Sequence, residues 1–81
     1  SETAMSLNIS VEVDTRGMAC PLPILKAKKA LSDMASGALL RVVATDPSSV
    51  RDFQAFAKQT NNELIEQSNT ADEYIHILRK R

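Results

Sequence analysis

With 81 residues, the chain has room for one domain around one modest hydrophobic core and for no independent second unit. Hydrophobic residues at 43% and charged residues at 25% fit a soluble globular fold and argue against disorder. Lys plus Arg equals Asp plus Glu, ten each, so no global field recruits nucleic acid or an anionic membrane surface.

Ser1-Glu2-Thr3-Ala4 precedes Met5, which reads as the natural start. Those four residues are taken as an artificial leader, residues 1–6 as a disordered lead-in, and 7–81 as a single domain. No apolar stretch approaches membrane-spanning length, and no charged-then-apolar segment reads as a signal peptide.

The first element is a strand over Leu7 to Val13. Leu7, Ile9, Val11 and Val13 alternate with Asn8, Ser10 and Glu12, the pattern of a half-buried strand. Thr15 to Ala19 is read as a loop containing Gly17. From Pro21 the period becomes helical: Ile24, Ala27, Leu31 and Met34 recur on one face, and Lys26, Lys29 and Asp33 lie opposite. Pro21 suits the first helical position, Pro23 still falls in the first turn, and Gly37 is expected as the C-terminal cap.

Leu39 to Ala44, interrupted only by Arg41, is a second and more central strand. Asp46-Pro47-Ser48-Ser49 supplies helix-start chemistry. Val50, Phe53, Phe56 and Ala57 make the apolar stripe of a second helix ending near Thr60. Glu63 to Gln67 and Glu73 to Arg79 are two further strands about a polar turn, Ser68 to Asp72. The order β-α-β-α-β-β predicts an α+β two-layer sandwich, a four-stranded mixed sheet with both helices on one face. A strand–helix–strand unit is normally parallel and right-handed. Both strand-to-helix loops, Asp14 to Cys20 and Asp46 to Ser49, then emerge at one sheet edge, where open α/β sheets place their function.

Cys20 is the only cysteine, so no internal disulfide holds the fold. One cysteine and one histidine, His76, cannot complete a four-ligand zinc site; neither a metal nor a cofactor is expected. A free thiol favours a reducing compartment, most simply the cytosol. Placed at the N-cap of the first helix, Cys20 would feel the positive end of the helix dipole, and Arg16 would add charge if the loop folded back. Pro21 and Pro23 remove two first-turn N–H groups, leaving that of Leu22 as the local donor to sulfur. Asp14 and Asp46, if close, would oppose the thiolate. The balance is an accessible nucleophile of ordinary strength.

That suffices for a persulfide carrier, since thiol–persulfide exchange depends on thiolate fraction and access. A cysteine hydrolase needs a base and an oxyanion hole. His76, in mid-strand and with no evident orienting partner, supplies neither. The bland alternative is a buried cysteine packed as a small hydrophobe. A glycine-containing loop on one side and a proline-started helix on the other argue against it.

The segment Asp14-Thr-Arg-Gly17-Met-Ala-Cys20-Pro21-Leu-Pro23 resembles the signature of the TusA/SirA-like sulfur-carrier family, whose hallmark is Cys-Pro-x-Pro at the start of the first helix. The resemblance runs from Leu7 to Lys80 and includes Ala44-Thr45-Asp46-Pro47. It implies a two-layer sandwich like the C-terminal domain of a bacterial translation initiation factor, with Cys20 as the persulfide-bearing residue. It also implies a sulfur-donor protein (a rhodanese or a cysteine desulfurase), an acceptor protein, and a role in sulfur oxidation, tRNA thiolation or molybdenum-cofactor maturation. Leu22 fills the variable position, where the tRNA-thiolation members carry an acidic residue.

Around Cys20, Asp14, Arg16, Gly17, Pro21 and Pro23 are expected to shape the loop and helix start, with Asp46, Ser48 and Ser49 along the neighbouring edge. Lys26, Lys28 and Lys29 either dock an acidic partner or form the solvated face of the helix. Arg79-Lys80-Arg81 reads as a solvated basic end, and Phe53 and Phe56 as core. Tyr74 and His76 are placed on the open sheet face, too few for a base-stacking platform. Two other readings compete with the carrier: an RNA- or ribosome-associated module, and a regulatory interaction protein whose cysteine is incidental. Balanced charge and few aromatics oppose the first, and the exposed position of Cys20 opposes the second. The chain is expected to act as a monomer, away from membranes and without direct nucleic-acid binding.

Overall fold

The computed structural model of the chain describes residues 8–81. The reading of residues 1–6, and that of Leu7 as a strand residue, lie outside the described residues. The elements are β1 (Ile9–Thr15), α1 (Leu22–Ser32), β2 (Leu39–Ala44), α2 (Ser49–Thr60), β3 (Glu63–Thr70) and β4 (Glu73–Arg79). This is the expected order, and the expected four-stranded mixed sheet, arranged β1-β2-β4-β3.

β1 runs parallel to β2, whereas β4 is antiparallel to both β2 and β3. β3 therefore points the same way as β2. The β1–α1 loop, the β2–α2 loop and the β3–β4 turn all emerge at one edge of the sheet. The first two are the loops that the sequence placed there; the third was not anticipated.

Alternation decides which side chains meet the helices. Val11 and Val13 from β1, Leu40, Val42 and Ala44 from β2, and His76 and Leu78 from β4 lie on the helix face in matching register. Ala27 and Leu31 of α1, and Phe53, Phe56 and Ala57 of α2, close over them as one core. Burying each large side chain contributes about 1.5–3 kcal/mol. Phe53 meets Phe56 edge-on at 6.1 Å and stacks on His76 at 4.5 Å, favoured geometries for ring pairs.

Several boundaries differ from the sequence reading, each for a local reason. β1 continues to Thr15 because Thr15, fully buried, donates its hydroxyl to Val43 O at 2.7 Å. α1 stops at Ser32, where the N–H of Asp33 turns to Ala30 O and Leu31 O. Gly37 is thus not the helix cap. It sits beyond the helix at φ +88 and donates its N–H to Lys80 O at 2.8 Å, which ties the α1–β2 turn to the end of β4. The cap with left-handed backbone is Asn61, closing α2 at φ 62. β3 reaches Thr70, leaving Ala71-Asp72 as the turn.

Candidate functional site

The β1–α1 loop is built around its own carboxylate. Asp14 Oδ1 accepts the N–H of Arg16 at 3.0 Å, and the Arg16 guanidinium grips both Asp14 oxygens at 2.9 Å. This holds the exposed Asp14 carboxyl down to about 2. Arg16 also reaches Glu73 of the β3–β4 turn at 3.5 Å. Its charge is therefore committed to Asp14 and Glu73, so the condition under which it would assist the thiol, a loop folded back on Cys20, is not met. Gly17 takes φ +79, a conformation that L residues disfavour, and its N–H donates to Thr45 Oγ1 at 2.8 Å.

That bond and one other fasten the loop to its neighbour. The N–H of Cys20 donates to Asp46 Oδ2 at 2.9 Å, while Asp46 Oδ1 accepts the N–H of Ser48 at 3.0 Å. One carboxylate thus starts α2 and holds Cys20 beside that start. The two N–H groups, Ser48 first, keep Asp46 ionised below its ordinary range. Ser48 is the N-cap of α2 without a side-chain cap bond.

Cys20 itself is exposed and unpaired. The N-cap of α1 is Pro21, with Leu22 as the first helical residue, so Cys20 precedes the cap and Pro21 does not occupy the first helical position. Pro23 is in the first turn, as expected, and is buried. The Leu22 N–H is taken by Ala19 O at 2.9 Å, which leaves it no role toward sulfur. The electrostatics follow. The thiol pKa is pushed up, first by the neighbouring Asp52 side chain, then by desolvation and by the charges of Asp52 and Asp46. The net direction favours the thiol over the thiolate. Asp46 takes part; Asp14, neutralised by Arg16, does not.

Asp52 and Glu73 were missed by sequence reasoning. Both carry a topological signal: Asp52 stands in the first turn of the helix that starts at this edge, and Glu73 follows the turn that the β3 direction brings there.

Ser49 and His76 also depart from expectation. Ser49 is 2% exposed and turned inward, its Oγ 2.9 Å from His76 Nε2. His76 is fully buried on the helix face, where it faces Phe53, rather than on the open face. Tyr74 shares its strand alternation and is half-buried. His76 does have partners. Gln67 Nε2 donates to Val50 O at 2.9 Å and to His76 Nδ1 at 3.1 Å, while Gln67 Oε1 accepts from Gln54 at 3.0 Å. Nδ1 is therefore an acceptor, the ring proton sits on Nε2, and it is donated to Ser49. A histidine so engaged has no lone pair to offer a surface nucleophile, and the hydrolase reading fails on that ground.

Lys26, Lys28 and Lys29 are exposed along α1. Leu22 and Leu25, at 47% and 53% exposure, stand out on the same helix just after Cys20. Among the described residues, no helix is long and apolar enough to cross a membrane.

Comparison with known proteins bears on the family and the fold. The chain is 54% identical over 69 residues to the sulfur carrier protein TusA of Allochromatium vinosum, covering 85% of this chain and 91% of that one. It is 36% identical to the sulfur carrier protein TusA of Pseudomonas aeruginosa, covering 95% and 98%. The crystal structure of a SirA-like protein from Desulfitobacterium hafniense superposes with a TM-score of 0.78 over 86% of this chain and 96% of that one, at 22% identity, which speaks to the fold. The family profile described as Sulfurtransferase TusA matches residues 11–80, and the chain belongs to that family.

Proposed function

We propose that the chain carries sulfur as a persulfide on Cys20, receiving it from a donor protein and delivering it to an acceptor within cytosolic sulfur trafficking. The observation that carries this reading is the geometry of the thiol. It is the one cysteine of the chain, exposed at a sheet edge on a loop fastened by Asp46 and Thr45. A carrier thiol must enter another protein's active site, and a braced, protruding loop does so at little entropic cost.

Asp14, Arg16 and Gly17 shape the loop, Pro21 and Pro23 the helix start, and Asp46 and Ser48 the seam with α2. Lys26, Lys28 and Lys29 provide a basic face beside the thiol, with Leu22 and Leu25 as its apolar part. This face fits a partner whose active-site rim is acidic around an apolar centre. Donor candidates are a rhodanese or a cysteine desulfurase, and the pathways in view are sulfur oxidation, tRNA thiolation and molybdenum-cofactor maturation. The carrier acts as a monomer, turning over sulfur only with its partner enzymes.

Intact-mass measurement after incubation with a persulfide-loaded rhodanese or cysteine desulfurase tests the reading. A gain of one sulfur atom is expected, reversed by reductant and absent in Cys20→Ser. Loading that persists unchanged in Cys20→Ser would sink it.

A further inference from the structure

The start of α1 does little to hold Cys20, since its N-cap, Pro21, makes no side-chain cap bond. The hold comes from β2. The backbone ladder between β1 and β2 ends where Thr15 lies opposite Ala44, with the Thr15 hydroxyl donated to Val43 O at 2.7 Å. Beyond that point the side chains of the next two residues continue the pairing. Thr45 Oγ1 accepts the N–H of Gly17 at 2.8 Å, and Asp46 Oδ2 accepts the N–H of Cys20 at 2.9 Å. Consecutive residues of the β2–α2 loop thus hold the first and last residues of the segment Gly17 to Cys20.

The two holds are not equivalent. Asp46 has a second duty, because its other oxygen takes the N–H of Ser48 where α2 begins. Among the described residues, the Thr45 side chain makes one hydrogen bond, the one to Gly17. Gly17 takes φ +79 with open space around it, so the position calls for a backbone conformation rather than for a small side chain.

We propose that Thr45 is a positioning residue for sulfur transfer: its hydroxyl fixes the Gly17 end of the loop, so that Cys20 Sγ is presented to a partner's active site in one pose.

The proposal rests on the carrier reading. In transfer, Cys20 Sγ must meet the outer sulfur of a persulfide opposite the S–S bond that breaks, and reactions between held groups lose rate steeply with small misplacements. Asp46 anchors one end of the segment; with the Gly17 end released, the loop turns about that single anchor. A small reagent approaches the thiol from any open direction and has no need of the pose, whereas a docked protein does. Thr45 carries no charge, so loss of its hydroxyl leaves the thiolate fraction alone. The exposed face of α1 is also untouched, so the loss falls on the transfer step and not on binding.

The test measures sulfur uptake from a persulfide-loaded rhodanese against carrier concentration, which separates the maximal rate from the half-saturating concentration. Iodoacetamide alkylation across pH is run beside it, with thermal melts as the check on folding. In Thr45→Val, which keeps the shape but removes the acceptor, the maximal rate should fall by about 3–10-fold, the scale of one hydrogen bond. The half-saturating concentration and the alkylation midpoint should stay native, and Thr45→Ser, which restores the hydroxyl, should recover the rate. If Thr45→Val does not fold, Thr45→Ala is read in its place with the same expectations. An unchanged maximal rate overturns the proposal. So does a raised half-saturating concentration at native maximal rate, which would make Thr45 a docking contact, and so does a loss that alkylation shares or that Thr45→Ser fails to recover. A wild-type chain that takes no sulfur overturns the carrier reading and this proposal together; a wild-type chain that loads normally beside an indistinguishable Thr45→Val overturns only the role of Thr45.

Discussion

Acidification should weaken this fold well before its carboxylates protonate, and the cause is His76. Burial pushes the imidazole down to about 4 from an ordinary 6.5. The surroundings explain why: a Phe53 ring stacked on one face, the Ser49 hydroxyl at Nε2 and the Gln67 amide N–H at Nδ1. None of these carries a charge that could stabilise an imidazolium, and a proton added at Nδ1 would point at the Gln67 N–H. The folded chain therefore holds His76 neutral in a range where the unfolded chain protonates it. Stability rises with pH wherever the unfolded state binds more protons. The contribution is fully present above about pH 6.5, is lost as pH falls toward 4, and levels off below. A shift of this size corresponds to about 3 kcal/mol, a large part of the ~4–12 kcal/mol expected for a chain of this length.

Urea unfolding at pH 7, 6, 5 and 4 measures the loss. His76→Gln, whose amide retains hydrogen-bonding capacity, should flatten the curve between pH 6.5 and 4. The one histidine also gives a single imidazole proton signal by NMR, and its midpoint in the folded protein should lie near 4. A midpoint near 6.5, or an unchanged slope in His76→Gln, would refute the reasoning. The carboxylates occupy a separate window: Asp14, at about 2, contributes only as the pH falls below the ordinary carboxylate value.

Four further outcomes are expected. Gly17→Ala should cost about 1–2 kcal/mol by thermal melt, because the space around Gly17 is open and the strain comes from φ +79 alone; Gly17→Val should cost more. Asp46→Ala should lower stability by about 1 kcal/mol through the loss of the N–H bonds at Ser48 and Cys20, and should shift Cys20 alkylation to lower pH by removing a negative charge. Phe53→Ala should cost about 3–5 kcal/mol in urea denaturation, since Phe53 is fully buried between Phe56 and His76. Replacing Lys26, Lys28 and Lys29 with Gln should slow sulfur uptake and weaken its salt dependence while leaving iodoacetamide alkylation unchanged, which is checked by running both assays at low and moderate salt.

The architecture was legible because apolar periodicity carried it. Val11, Val13, Leu40 and Val42 alternate as strands do, Ala27 and Leu31 repeat as helices do, and the strand-to-helix loops then had to share an edge. What the pattern hid were polar residues whose hydrogen bonds substitute for apolar character. Thr15 looks like loop but is a buried strand residue because its hydroxyl reaches Val43 O. Ser68 to Thr70 look like turn but pair with β4. His76 looks surface-facing, yet Ser49 and Gln67 satisfy it inside. In the site, Cys20, Gly17 and Asp46 could be read from position and residue type. Asp52 could not be singled out, because its influence on Cys20 depends on how α2 and the β1–α1 loop are placed in three dimensions.

The acidic surroundings of Cys20 favour a division of labour between reactivity and recognition. Raising a thiol pKa by one unit lowers the thiolate fraction about tenfold near neutral pH. The thiolate that does form gains only about threefold in nucleophilicity, so the free carrier is less reactive toward small electrophiles. In a docked complex the balance changes. Once the proton is drawn off within the complex, the thiolate fraction no longer limits, and the more basic sulfur is the better nucleophile. An exposed cysteine on a protruding loop is otherwise open to oxidants and stray disulfides, so restraint in solution is useful to a protein that must present its sulfur openly. In the proposed role discrimination falls to the exposed face of α1, with Leu22, Leu25 and its lysines, and it is there that changing the partner should change the rate without changing the chemistry.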